Sequence, residues 1–188
     1  MEESLAEKPI HHSIEREQEA RIIATAKRDP QAFGKLYDQY APKVYHYLLS
    51  RLGNIEEARD ITSQTFLTAV EMLPRYKHRG YFSAWLFSIA RSKYVDYLRH
   101  RKNDFNAIQE EQINLQSDPL TEIIAEERMI MLKNCVHALA PEEQELLCLR
   151  FFANLTFIEI AELLKRNEST VKKRFYRLLV RLKNQLEA

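Results

Sequence analysis

The stretch Leu155–Lys183, LTFIEIAELLKRNESTVKKRFYRLLVRLK, reads as two short helices joined by a tight polar turn, the second of them cationic. Thr156 is placed to cap the amides of the first helix while Glu159, three residues on, bonds back to the Thr156 amide. Ile160, Ala161 and Leu164 then form an inner stripe. Lys165, Arg166 and Asn167 break that pattern, and Asn167 caps a second helix whose apolar residues Val171, Phe175, Leu178 and Leu182 recur at helical spacing. Two helices so joined are a standard way to seat one of them in a DNA groove.

At about 100° per residue, Ser169, Thr170, Lys172, Lys173, Tyr176 and Arg177 fall on or beside the outer face, with Arg174 and Arg181 at its flank. Cations there neutralise phosphates, and Arg or Lys also donates to guanine edges in the major groove. A lone helix of this kind would be read as a solvated basic face. The capped helix and short turn in front of it favour duplex DNA.

Composition sets the wider limits. The 188 residues suffice for one large domain or two small ones. Only 3 glycines occur and apolar residues recur at three and four, so the chain is expected to be all-α. The net charge of +1 conceals strong polarity along the sequence. Asn103–Glu127 holds seven acidic residues and no Lys or Arg, whereas Lys165–Ala188 holds eight basic residues against Glu168 and Glu187. Near-neutrality therefore does not argue against nucleic acid. Cys135 and Cys148 form no CxxC pair and read as reduced core residues of a cytoplasmic protein. His11 and His12 lie in a polar tail and are not read as a metal site. No apolar run approaches the ~18 residues of a membrane span. No nucleotide-binding loop, metal cluster or nucleophile constellation stands out, so neither a cofactor nor an enzymatic activity is expected.

Four segments follow from the punctuation: a disordered N-terminal tail over 1–20, a first helical domain over 21–102, a flexible acidic linker over 103–121, and a second helical domain over 122–188. Asp29 before Pro30 opens a helix with Phe33, Leu36, Tyr37 and Tyr40 on one side. Pro42 is expected to break it before the stripe Val44, Tyr45, Leu48, Leu49 and Leu52, which Gly53 stops. A further helix starts at Asn54 or Ile55 and ends before Pro74, and Ser83 is expected to cap a long one reaching about Lys102. The linker is too polar to bury much area. Beyond it, Pro141 opens a helix with Leu146, Leu147, Leu149 and Phe152 inside, and Asn154 supplies a left-handed end.

The loop of the first domain carries the second functional signal. From Arg75 through Tyr76, Lys77, His78, Arg79 and Gly80 to Tyr81, cations alternate with aromatics over a glycine hinge. Aromatic faces stack on unpaired bases for ~1–3 kcal/mol each while neighbouring cations hold the strand. A duplex offers no open base faces, so this composition suits melted DNA, with Tyr76 and Tyr81 as the expected exposed platforms. Arg91 and other cations of the following helix extend the basic surface.

One element suited to duplex and one to opened strand, on separate domains, resemble the two domains kept by bacterial sigma factors of the extracytoplasmic-function group, the smallest sigma-70 relatives. The resemblance covers roughly Asp29–Lys102 and Glu127–Lys183. ARDITSQTFL, Ala58–Leu67, is similar to the family's AEDLVQETFL, with Asp60, Thr65, Phe66 and Leu67 identical, Ile61 for Leu, and Ser63 and Gln64 for Gln and Glu. FSAWLFSIARSKYVDYLRHR, Phe82–Arg101, is similar to F-x-x-W-L-x-x-I-A-R-N-x-x-x-D-x-x-R-R, with Ser92 for Asn. The C-terminal pair is similar to L-S-Y-E-E-I-A-E-I-L-G-I-S-E-G-T-V-K-S-R-L-x-R-A, with Lys165 and Ser169 where the family has glycines, which predicts either a less tight turn or a strained backbone at Lys165.

The resemblance implies roles. Asp60, Ile61, Gln64, Thr65 and Phe66 would grip the clamp of core RNA polymerase. Tyr76, Lys77, His78, Arg79, Tyr81 and Arg91 would take the minus-ten element of promoter DNA, and Ser169, Thr170, Lys172, Lys173, Arg174, Tyr176 and Arg177 the minus-35 duplex. An anti-sigma factor that clamps between the domains is implied as a further partner. The competing reading is a stand-alone helix-turn-helix transcriptional regulator, which leaves the aromatic-basic loop and the clamp-like helix without a task. A helical adaptor binding through the acidic linker is a third.

Overall fold

The computed structural model describes residues 9–78, 81–104 and 131–187. Eight α-helices and no strand occur among them: α1 Pro9–Ala26, α2 Phe33–Leu52, α3 Ile55–Met72, α4 Phe82–Asp104, α5 over 131–137, α6 Pro141–Leu147, α7 Phe157–Leu164 and α8 Glu168–Leu186. None is long and apolar enough to cross a membrane. The acidic segment from 105 lies outside the described residues.

Local signals set most boundaries. The Asn54 side chain accepts from the Glu56 and Glu57 amides at 2.9 and 3.1 Å, opening α3. Gly53 stops α2 at φ 70°, where its amide reaches the Leu49 carbonyl. Asp29 accepts from the Gln31 amide, so it caps the 3-10 turn Pro30–Ala32 that leads into α2. Pro141 occupies the first turn of α6, and Asn154 is left-handed at φ 52°.

Four expectations are corrected. The helix α1 replaces the disordered tail from residue 9 onward, because Ile23 and Ala26 bury against the first bundle and the Glu19 carboxylate accepts the Tyr40 hydroxyl. Pro42 does not break α2: a helical proline forfeits one amide, and the buried stripe Tyr40, Val44, Tyr47 and Leu48 carries the helix past it. Ser83 is not a cap, since α4 already starts at Phe82 and the Ser83 hydroxyl points to the second block. Finally, Cys148–Phe152 is a π-helical turn. Its wider winding rotates Phe152 out of the inner stripe to 43% exposure, while Leu146, Leu147 and Leu149 stay inside.

The first block packs α2, α3 and α4 around Val44, Tyr47, Leu48, Ile61, Phe66, Phe82, Leu86 and Phe87, all buried. In the second, α6, α7 and α8 enclose Leu149, Leu155, Ile160, Val171, Phe175 and Leu178. The two blocks touch: α2 lies against the π turn and α4 against α7.

Between α7 and α8 the chain turns at Lys165, which adopts φ 52°, ψ 49°. Its amide and that of Arg166 reach back to the Glu162 and Ala161 carbonyls at 3.3 and 2.9 Å, closing the helix end. The strain expected at this position is therefore present, because a side chain in the left-handed region costs ~1–2 kcal/mol. Lys165→Gly should stabilise the fold by ~0.5–1 kcal/mol once glycine's larger unfolded-state entropy is subtracted. An upward shift of the urea midpoint at unchanged slope is the expected reading; a downward shift would contradict it.

Candidate nucleic-acid interface

Reciprocal capping sets the start of α7. The Thr156 amide donates to Glu159 Oε2 at 2.7 Å, and the Glu159 amide lies 3.4 Å from the Thr156 hydroxyl. Asn167 has the extended backbone of a cap for α8 (φ −72°, ψ 137°) but makes no side-chain cap bond. Val171, Phe175, Leu178 and Leu182 anchor α8, with the Phe175 ring 5.7 Å from Phe151 and 5.2 Å from Phe157. The opposite face follows from that anchoring.

Ser169, Thr170, Lys172, Lys173, Arg174, Tyr176 and Arg177 are all exposed on it. The helix N-terminus faces outward with them and adds its partial positive charge. Several of these cations have intramolecular partners. Lys172 pairs with Glu168 at 2.7 Å one turn back, Arg174 with Glu142 of α6 at 3.9 Å, and Arg181 with Glu143 at 2.6 Å. The Arg181 bond holds the Glu143 carboxyl below the usual carboxylate range and ties α6 to α8. Tyr176 leans on Phe157, ring centroids 5.8 Å apart.

The loop of the first block divides its expected residues. Lys77 and His78 are exposed, Tyr81 is half-buried and Arg91 is exposed on α4; Arg79 lies outside the described residues. Tyr76, expected as an exposed platform, is instead 9% exposed. Its ring lies 4.5 Å from Trp85 and 5.7 Å from Phe82, its carbonyl accepts from Lys27 Nζ, and burial raises its hydroxyl to about pKa 12. Sequence alternation missed this because the rings of Phe82 and Trp85 pack on Tyr76 and Lys27, 49 positions earlier, reaches its carbonyl. Trp85, half-buried, takes its place as the ring beside the opening. A cavity of about 470 Å³ lies there, lined by Arg75, Tyr76, Lys77, Tyr81 and Trp85 on one side and by Glu162, Leu163 and Lys165 on the other.

The clamp-like helix α3 is likewise divided. Ile61, Thr65 and Phe66 are buried, with the Thr65 hydroxyl donating to the Ile61 carbonyl at 2.7 Å and the Phe66 ring against Phe33 and Tyr37. They hold the helix in place and do not present side chains to a partner. Asp60 and Gln64 are exposed, and Leu67 and Val70 join them at 66% and 42% exposure. Their apolar exposure is the signal that sequence pattern alone did not isolate. No group of three or more metal-ligating side chains occurs among the described residues.

With this geometry in hand, comparison with known proteins is specific. The family model for Sigma-70 region 2 matches residues 36–103, and that for Sigma-70, region 4 matches residues 129–182. The chain is 32% identical over 166 residues to the ECF RNA polymerase sigma factor BldN of Streptomyces coelicolor, covering 84% of this chain and 63% of that protein. It is 29% identical to the ECF RNA polymerase sigma factor SigW of Bacillus subtilis, covering 88% of this chain and 95% of SigW. Among solved structures, CnrH in complex with the cytosolic domain of CnrY has a TM-score of 0.64 at 20% identity, covering 88% of this chain and 95% of that one, which establishes likeness of fold. The two matched regions fall on the two helical blocks, one bearing the aromatic loop and the other the basic α8, in the same chain order: this protein belongs to the extracytoplasmic-function group of the sigma-70 family.

Proposed function

We propose that the chain is a sigma subunit that brings core RNA polymerase to specific promoters and nucleates DNA opening, without enzymatic activity of its own. The observation that carries this reading is the division of DNA-facing chemistry between two folded blocks: an exposed cationic helix on one, an aromatic-basic loop on the other. A free-standing regulator needs only the first.

Exposed Thr170, Lys172, Lys173, Arg174 and Arg177 set position on the minus-35 duplex through phosphates and base edges. Tyr81 and Trp85, beside Lys77 and His78, receive a base that breathing has already exposed at the minus-ten element. Unstacking costs a few kcal/mol, and one or two stacked rings return ~1–3 kcal/mol each, so the chain alone holds little open DNA. Melting therefore belongs to the polymerase-bound complex. Asp60, Gln64 and Leu67 form the exposed edge of α3 offered to the polymerase clamp. A cytoplasmic location and an anti-sigma partner complete the proposal. The latter is motivated by the sigma factor RpoE of Bartonella quintana, solved in complex with the anti-sigma factor NepR, whose fold this chain shares at TM-score 0.64 and 18% identity over 83% of this chain and 97% of that one.

Run-off transcription from a library of genomic fragments tests the proposal. Core polymerase plus the chain should give discrete start sites that neither gives alone; a palindromic footprint by the chain alone, with no polymerase dependence, would favour the free-standing regulator. In the same assay Arg174→Ala should lower promoter-directed product about tenfold, the loss of one charge-assisted contact, and leave co-purification with core polymerase intact. Loss of co-purification would refute the division of labour.

A further inference from the structure

Two charged side chains at α1 reach the two ends of the aromatic-basic loop. Lys27 sits just past the end of α1 and keeps the helical bond from its amide to the Ile23 carbonyl at 3.1 Å. Glu19 lies ~12 Å back along the helix and about 80° around it, so both flank the face that buries Ile23 and Ala26. The Lys27 ammonium donates to the Tyr76 carbonyl and lies 5.8 Å from the centre of the Tyr76 ring. At the other end the Glu19 carboxylate accepts the Tyr40 hydroxyl, and the Tyr40 ring packs 5.4 Å from Phe82. The Phe82 amide lies beside the same carboxylate and favours its charged form. Tyr76 is the entry to the loop, and Phe82, first residue of α4, is its exit.

Neither Lys27 nor Glu19 lines the cavity that would receive a base, but what they hold does. The Tyr76 ring backs Trp85 at 4.5 Å, and both rings line that cavity. A ring next to a loop keeps its place only through supporting contacts, and a charged donor on a carbonyl is a stronger support than a neutral one. Among the described residues the other polar contacts of Tyr76 are local: its amide reaches the Leu73 carbonyl at 3.0 Å and its hydroxyl lies 3.3 Å from His78. The Lys27 bond reaches it from a distant helix end.

We infer that Lys27 and Glu19 are positioning residues for minus-ten capture, which clasp the loop at Tyr76 and at Phe82 so that the Tyr76 ring stays behind Trp85. The capture half of this inference rests on the proposed sigma function; the clasp itself does not. Without the Lys27 donor the Tyr76 carbonyl turns to water, its ring leaves Trp85 more often, and the base-receiving arrangement is populated for a smaller fraction of the time.

Trp85 is the only tryptophan of the chain, so its fluorescence reports the clasp in the full free protein. Lys27→Met keeps the apolar stem and removes the donor, Lys27→Arg keeps a donor, and Glu19→Ala releases the other end. Acrylamide quenching of Trp85 should rise in Lys27→Met and in Glu19→Ala and return to the parent value in Lys27→Arg, at equal helicity by circular dichroism. On a promoter mapped by run-off transcription and bound by core polymerase, permanganate reactivity of the minus-ten thymines should fall about tenfold in Lys27→Met, the equivalent of one hydrogen bond to a charged group. Co-purification with polymerase and protection of the minus-35 duplex should persist. Unchanged quenching in either Lys27→Met or Glu19→Ala would overturn the clasp. Raised quenching with parental opening, or an opening defect that Lys27→Arg does not relieve, would overturn the positioning role. Failure of the parent itself to open any promoter would strike the sigma function instead and leave the quenching result standing.

Discussion

Phe175→Ala should unfold the second block while the first stays folded. Phe175 is 4% exposed and its ring meets Phe151, Phe157 and Tyr176 at 5.7, 5.2 and 5.8 Å, so it joins the π turn, α7 and α8 in one cluster. Truncating such a ring costs ~3–5 kcal/mol, the lost transfer energy plus the cavity left behind. A helical unit this small has total stability of the same order. Hydrogen exchange resolves the outcome by block: amides of α7 and α8 should lose protection while those of α2 and α3 keep most of theirs. A variant whose α8 amides stay protected to within 1 kcal/mol would show that the cluster is not what anchors the recognition helix.

The second large effect concerns charge and leaves the fold alone. Lys173 and Arg177 are exposed on the outer face of α8, one turn apart, and neither contributes to the buried stripe. Lys173→Ala with Arg177→Ala should weaken promoter duplex binding about ten- to a hundredfold at physiological salt. If both contact phosphate, the slope of log K against log salt should fall by about two. If one reads a base edge, the slope falls by about one and the loss is concentrated on particular promoter positions. Helicity should be unchanged in either case. An unaltered affinity and slope would remove this face of α8 from the DNA interface.

What was legible in the sequence follows a physical divide. Thr156 with Glu159, Asn54, Gly53, Pro141, Asn154 and the strained Lys165 act within a turn of their own position, and all appear where local chemistry places them. The exposed face of α8 was equally legible, because four apolar residues at helical spacing fix what lies opposite. Tertiary packing decided the rest. Pro42 stays in α2 because residues on either side of it are buried against neighbouring helices. Phe152 leaves the core because one wide turn shifts the register, a change invisible to a period of 3.6.

The site residues divide in the same manner. Tyr76 is buried against Phe82 and Trp85 of α4 with Lys27 on its carbonyl, and Ile61, Thr65 and Phe66 serve the core of the first block while Asp60, Gln64 and Leu67 face outward. The Tyr47 to Glu145 and Ser83 to Glu159 bonds join residues 98 and 76 positions apart. No local rule relates such pairs.

Permanganate footprinting of a promoter bound by core polymerase and this chain tests the central claim most directly. Reactive unpaired thymines should appear at the minus-ten element only when both proteins are present, with protection of the duplex at the minus-35 element in the same complex. Protection upstream with the minus-ten thymines still paired and unreactive would contradict an account in which one block holds closed duplex while the other captures an unstacked base.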